Sequence, residues 1–383
     1  EDNNNPNDSY IQARDLDKDA EMTRTYRREE GKFAVDEDRI LEMKNTSFVD
    51  FEGITLHSGT FYLNDTDDTT FDDCKFLYSS YHGFMLKSDI RFPGNKAKAA
   101  QDSPGDNNLA FKNSEFANSY GLSLTTGSNQ GTLIENNHFH NSNIYIRGGN
   151  GGPVVSGNKY LTGVRNTVNS MGFGGLGRPG KDNLLDLNHV YNFHFRSDTG
   201  GITANQSIQE GLVISNNWLH GLHSKNGIRF DGDPAGIGGT LHGNVVFNAS
   251  RGMRVKGDQH IIIGNTVFDS ARYDISISFD KFYGYETADS MELEDRLMGR
   301  RGNEPNQGNV NSIAHNNAAD TLLRIPILNE QNKTANSGML SADRHSSHLV
   351  DELRDVYNFD FRPRASSVLI DAGKYLDGYT DEY

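Results

Sequence analysis

The segments GITAN (201–205), GIRFDG (227–232), GMRVKG (252–257) and DISIS (274–278) stack on one another, and their register decides the fold. With a strand's period of two, Ile202, Ile228, Met253 and Ile275 form one apolar column, and Ala204, Phe230, Val255 and Ile277 form a second. The intervening Thr203, Arg229, Arg254 and Ser276 face the other way, as do Asn205, Asp231, Lys256 and Ser278, so the outer face is ionic. These strands keep one inward phase while following each other at 26, 25 and 22 residues, read from Ile202, Ile228, Met253 and Ile275. A coil-by-coil parallel solenoid produces that pattern.

Working outward, a second register supports the same coils. IENNHF, SGNKY, LNHV, SNNWL, HGNVV, IGNTV and HNNA align Asn137, Asn158, Asn188, Asn217, Asn244, Asn265 and Asn317. Two residues later stand Phe139, Tyr160, Val190, Leu219, Val246 and Val267. An asparagine recurring once per coil tolerates a left-handed bend and hydrogen-bonds its neighbours above and below. Earlier coils put Ser114 and Cys74 in this column, so the single cysteine reads as a buried stack residue.

These asparagine coils and the closing DFRPRASSVLIDAG (360–373) resemble the pectate-lyase-like superfamily of right-handed parallel β-helix proteins. The resemblance implies an all-β solenoid over 45–375, after a polar lead-in at 1–44 and before a tail at 376–383. Loop insertions are expected at 90–108, 170–181 and 280–310, where they would wall a groove or cover it. The fold hosts lyases, hydrolases, epimerases and adhesins, so it does not choose the reaction.

Composition narrows the classes further. A net charge of −15 over 383 residues argues against nucleic acid or an anionic membrane surface as the partner of the whole protein. One cysteine excludes an intrachain disulfide and a thiolate metal cluster. No apolar run reaches the roughly 18 residues of a membrane span. The acidic stretch Asn64, Asp65, Asp67, Asp68, Asp72 and Asp73 is a weak Ca²⁺ candidate that lacks the spacing of an EF-hand loop, and no other metal or cofactor is expected.

Against that negative background one cationic band stands out. Arg229, Arg254 and Lys256 lie on the outward strand face, with Arg196, Lys225, Arg251 and Arg272 just before the strands and Arg147 beside the outward Tyr145. Such a band suits a polyanion whose carboxylates or sulfates arginine grips bidentately. The competing reading is a solvated network with Asp231, Asp233, Asp258 and Asp274.

For chemistry, Asp198 precedes one strand, Asp231 ends the next, and Asp233 follows two residues on. Hydrolysis needs one protonated and one ionised carboxyl about 5 to 9.5 Å apart, which adjacent coils can supply. His194 and His223 fall level with each other and would orient or protonate the sugar. The segment RSDTGG resembles segments of β-helix glycoside hydrolases acting on fucans and xylans, which implies Asp198 as a catalytic acid. The expectation is therefore a secreted or periplasmic hydrolase of an anionic polysaccharide. The alternatives are a lyase eliminating across a uronate with the His, Lys and Arg set, and a glycan-binding adhesin.

Overall fold

The computed structural model describes residues 10–13, 26–29, 32–35, 39–79, 95–98, 108–119, 122–127, 129–142, 153, 155, 158–172, 174–193, 200–206, 208–231, 236–277, 312–323 and 349–373. It is a parallel β-helix in architecture, with coils of short parallel strands and, among the described residues, two one-turn helices, the α-helix Leu349–Glu352 and the 3-10 helix Val356–Asn358. The chain divides into two compact units, Glu1–Pro179 with Asn192–Ser197, and Gly180–Tyr191 with Asp198–Tyr383.

In the first unit, Arg39–Glu52, Thr60–Asp72, Ala110–Lys112, Leu133–Glu135 and Thr162–Val164 pair in parallel along one face. Thr55–His57, Lys75–Leu77, Glu115–Ala117, His138–His140 and Thr167–Asn169 pair along another. Identical positions in successive coils place like side chains above one another, so phenylalanines stack. Phe51 on Phe71, Phe76 on Phe116 and Phe116 on Phe139 stand 4.7, 4.5 and 4.7 Å apart. Within the expected insertion at 90–108, Asn95–Lys98 is a strand that pairs with Thr60–Asp72 and with Leu124–Gly127. The acidic stretch is likewise part of a strand, with Asp72 held by Lys112 at 3.0 Å.

Each unit carries its own run of ladder hydrogen bonds. In the first, the Cys74 amide donates to Ser114 Oγ, the Ser114 amide to Asn137 Oδ1, and the Asn137 amide to Asn166 Oδ1. Cys74 is buried, as its place in the column requires, and burial pushes its thiol pKa up. The rung after Asn137 is therefore Asn166 of VRNTV, and Asn158 is not in this column. The sequence offers two asparagines eight positions apart, and only Asn166 is followed at two residues by a buried apolar side chain, Val168. Tyr160, expected in that place, is 62% exposed. Asn158 works elsewhere, accepting from the Asn129 amide and donating to Thr126 Oγ1.

In the second unit the rungs are Asn188, Asn217, Asn244, Asn265 and Asn317, each bonding the next through backbone amide and side chain. The left-handed bend lies one residue before each rung, at Asn136, Arg165, Leu187, Asn216, Gly243, Gly264 and Asn316. It is this neighbour that tolerates positive φ, while the rung itself is spared for hydrogen bonding.

The second unit carries three strand faces. Leu184–Asp186, Val213–Ser215, Thr240–His242, Ile261–Ile263 and Ile313–His315 form one. His189–Tyr191, Trp218–Phe230, Val245–Val255, Thr266–Phe268 and Ala318–Ala319 form the next. The long strands Trp218–Phe230 and Val245–Val255 then bend and join Gly200–Ala204 and Ile275–Ile277 in a third.

On the second of these faces the outward column is aromatic, His220 stacking on Tyr191 at 5.1 Å and on Phe247 at 4.9 Å. Leaving it in water would cost apolar burial, and the closing segment covers it. Leu349, Leu353 and Val356 pack with Phe268 against Val245 and Phe247, and Phe359 lies 5.4 Å from His220. Beneath that cover, His189 Nε2 and His220 Nε2 are 2.9 Å apart, so one ring donates and the other accepts. Burial lowers both pKa values, and with the neighbouring His189 it takes His220 to about 4.

Two predictions follow from these contacts. Asn244→Ala strands the Asn217 amide, the Asn217 side chain and the Ile214 carbonyl inside the core, and the expected loss is about 3 kcal/mol in urea denaturation; a loss below about 1 kcal/mol would mean the ladder is dispensable. The second concerns acid. His220 titrates below its unfolded value, so its contribution is complete above about pH 6.5 and fades as pH falls towards 4. Urea midpoints at pH 7 and pH 4.5 should show His220→Phe losing about 2 kcal/mol less than the natural chain on acidification.

Candidate functional site

The ionic face lies on the third strand set of the second unit. Its strands close tightly because the chain turns into them through Gly201, Gly227 and Gly252. A Cβ on Gly227 would stand 2.3 Å from Val246 Cγ1, and one on Gly252 would stand 2.3 Å from Val267 Cγ1. Past that corner the expected register holds throughout. Ile202, Ile228, Met253 and Ile275 pair in sequence, as do Ala204, Phe230, Val255 and Ile277, all buried. Thr203, Arg229, Arg254 and Ser276 therefore share the opposite column.

That column is not an open, solvated surface. Thr203, Arg229, Lys256 and Ser276 are each under a tenth exposed. Asp231 stands between two cations, its Oδ2 paired with Arg229 and its Oδ1 3.0 Å from Lys256 Nζ. Its backbone is clamped as well, the amide donating to Ala204 O at 2.7 Å and the carbonyl accepting from Gln209 Nε2 at 2.6 Å. This corner is the network reading made real. A single carboxylate between them carries one negative charge, so it offsets part of the cost of burying the two cations.

The other arginines differ. Arg251, Arg254 and Arg272 form no ion pair with a carboxylate among the described residues. Together with Arg229 they act electrostatically on the Tyr273 phenol, yet burial outweighs them and raises its pKa. Asp274, a candidate partner by sequence, instead accepts from the Ser270 and Thr321 amides, and burial raises it to about 6. Lys225 is fully buried beside an irregularity in strand pairing between Leu222 and Asn226, and desolvation lowers its ammonium to about 7.

The structure joins Asp231 to Arg229 and Lys256 by ion pairs and sets Arg254 beside Arg229 in register, while Arg251 and Arg272 act with Arg254 on the Tyr273 phenol. His223 is exposed on the same long strand as Lys225. Asp198, His194, Arg196, Asp233, Tyr145 and Arg147 lie outside the described residues, as does the expected insertion at 280–310. Tyr273 escaped the sequence reading, although the pattern RYDISIS puts it next to Arg272 at the head of a strand. His260, fully buried behind the cluster, escaped too, since a lone histidine in GDQHII carries no periodic signal. Among the described residues no three carboxylate, imidazole or thiol groups converge as a metal site, and no helix is long and apolar enough to cross a membrane.

No family model matches the chain and no curated protein matches it. Among solved structures, the crystal structure of the Dettilon tailspike protein is similar over 72% of this chain, at 11% identity and a TM-score of 0.28. The match spans 60% of that protein's length. The fold rests on the strand pairing itself.

The two halves of the cluster should respond differently to truncation. Asp231→Ala leaves Arg229 and Lys256 buried without their carboxylate and is expected to cost about 3 kcal/mol. Arg254→Ala should cost under about 1 kcal/mol, because no described carboxylate is orphaned. Chemical denaturation of both variants checks this, and equal losses would refute the distinction.

Proposed function

We propose that this chain binds an anionic polysaccharide on the ionic face of the second unit and cleaves it there, as an extracellular or periplasmic enzyme. The observation that carries the reading is that Arg251, Arg254 and Arg272 all act electrostatically on the one phenol of Tyr273 and form no ion pair among the described residues. In a chain of net charge −15, like charges gathered this way repel one another until a ligand supplies counter-charge. Arginine's planar fork suits carboxylate or sulfate groups repeated along a sugar chain. Arg229 and Lys256, locked by Asp231, give this face a rigid edge.

Hydrolysis would use carboxylates. Asp231 has both oxygens engaged by cations, which leaves the proton-donating role to Asp198 or Asp233, with His194 and His223 placing the sugar. A second reading, β-elimination across a uronate, is favoured by two specific groups. Desolvation of the buried Lys225 lowers its ammonium to about 7, which brings its proton affinity into the range of a general base. Tyr273 keeps its proton well into the alkaline range and can give it to a leaving oxygen. The arginines would neutralise the uronate carboxylate and so acidify the adjacent carbon-bound hydrogen.

Incubation with neutral, uronate and sulfated polysaccharides separates these outcomes. New reducing ends without ultraviolet absorbance of unsaturated uronates mean hydrolysis, and the two together mean elimination. Binding without either leaves an adhesin. In every case Arg254→Ala and Arg272→Ala should each weaken binding about tenfold, near 1.4 kcal/mol, and reduce its salt dependence. Unchanged affinity in both variants would remove this face from the function.

A further inference from the structure

Behind the ionic face, His260 is completely buried, and both of its ring nitrogens are engaged. The Gly239 amide donates to Nδ1 at 3.1 Å, and Nε2 lies 2.8 Å from the Lys256 carbonyl oxygen. These partners dictate the tautomer. An N–H facing Nδ1 requires a lone pair there, so the ring proton sits on Nε2 and is donated to Lys256.

The ring thereby joins two turns that main-chain bonds hold only in part. The Gly238 amide reaches Asp258 O and the Asp258 amide reaches Gly236 O, and Gly257 between them takes φ 102. A Cβ at Gly257 would stand 1.8 Å from Gly236 O, so the turns are packed as closely as backbone allows. Lys256 is held at its amide by Phe230 O and at its carbonyl by His260. Only its side chain remains to be aimed, and that side chain ends on Asp231. The imidazole also lies 4.9 Å from the ring of Phe230, the residue before Asp231.

We infer that His260 is a positioning residue for the anion-binding face, holding Lys256 on Asp231 and, through that pair, Arg229, and that the face loosens when the imidazole is protonated. The inference rests on the proposed reading of the face as an anion site. A second ring proton would have to sit on Nδ1, against the Gly239 N–H that now donates to it. The groups meeting the ring are the backbone of Gly236, Gly239 and Lys256 and the side chain of Phe230, and no charged side chain acts on it among the described residues. Desolvation outweighs the backbone hydrogen bonds of Lys256, Gly239 and Gly236, which favour the charged ring, and lowers its pKa to about 4, so the face stays assembled at neutral pH and loosens in acid.

The test compares His260→Gln, which can accept from Gly239 and donate to Lys256 but never titrates, with His260→Leu, which does neither. Heparin and polygalacturonate serve as anionic probes, with affinity followed from pH 7 to pH 4. At pH 7 the Leu variant should bind at least tenfold more weakly and the Gln variant within about threefold of the natural chain. On acidification the natural chain should lose more affinity than the Gln variant. Identical acid limbs for those two, or a folded Leu variant with unaltered affinity, would overturn the inference; if the Leu variant does not fold, the acid limbs decide. Should the natural chain bind neither probe, the anion-site reading fails by itself. The carboxyl carbon resonance of Asp231, recorded without ligand, then still reads the positioning: it should move in the Leu variant and return in the Gln variant, and three identical signals would overturn it.

Discussion

From Asn188 to Asn317 successive coils of the second unit are tied by a buried side-chain amide that bonds in two directions. Asn244 gives its side-chain N–H groups to Ile214 O and Asn265 Oδ1, and its Oδ1 accepts from the amide and side chain of Asn217. A solenoid has few contacts between distant parts of the chain, so register between neighbouring coils has to be enforced locally at every step. A one-residue slip would turn each inward side chain outward. The ladder forbids that slip, because a displaced asparagine would leave several buried donors and acceptors without partners. The columns of Ile202, Ile228, Met253 and Ile275, and the ionic column opposite, depend on it.

Once register is enforced, each face acquires the character of its column. An aromatic column at Tyr191, His220, Phe247 and Phe268 must be covered, and the closing hairpin with Phe359 and Phe361 does so. The ionic column behaves differently because a carboxylate partly offsets the cations within it. Asp231 takes up Arg229 and Lys256, while Arg251, Arg254 and Arg272 pair with no carboxylate among the described residues and act on the Tyr273 phenol. Among the described residues an ion-paired edge thus stands in the same strand set as arginines that pair with no carboxylate.

Several residues do two jobs at once. Gly201, Gly227 and Gly252 let the chain turn the corner into the ionic face, and the same absence of a side chain leaves room for the core column of Leu219, Val246 and Val267. His260 completes the hydrogen bonding of two turns while fixing the peptide from which Lys256 extends. The consequence is that the geometry of the ionic face follows from the fold's own packing.

The periodic features were legible in the sequence by themselves. Alternation at period two located the strands of the third face and their pairing, because a side chain's direction along a strand follows from covalent geometry. The once-per-coil asparagine located most rungs for the same reason. That rule failed at SGNKY, where two asparagines competed and only packing against Phe139 and its neighbours could favour Val168 over Tyr160. Composition likewise picked out the cationic band and placed Cys74 in the stack. What only the tertiary structure decided is which of those charges are compensated. Arg229 and Arg254 occupy equivalent positions in the repeat, yet one is locked to Asp231 and the other faces Tyr273. Ion pairing and burial depend on distances of a few ångströms between coils, and no periodicity in the chain encodes them.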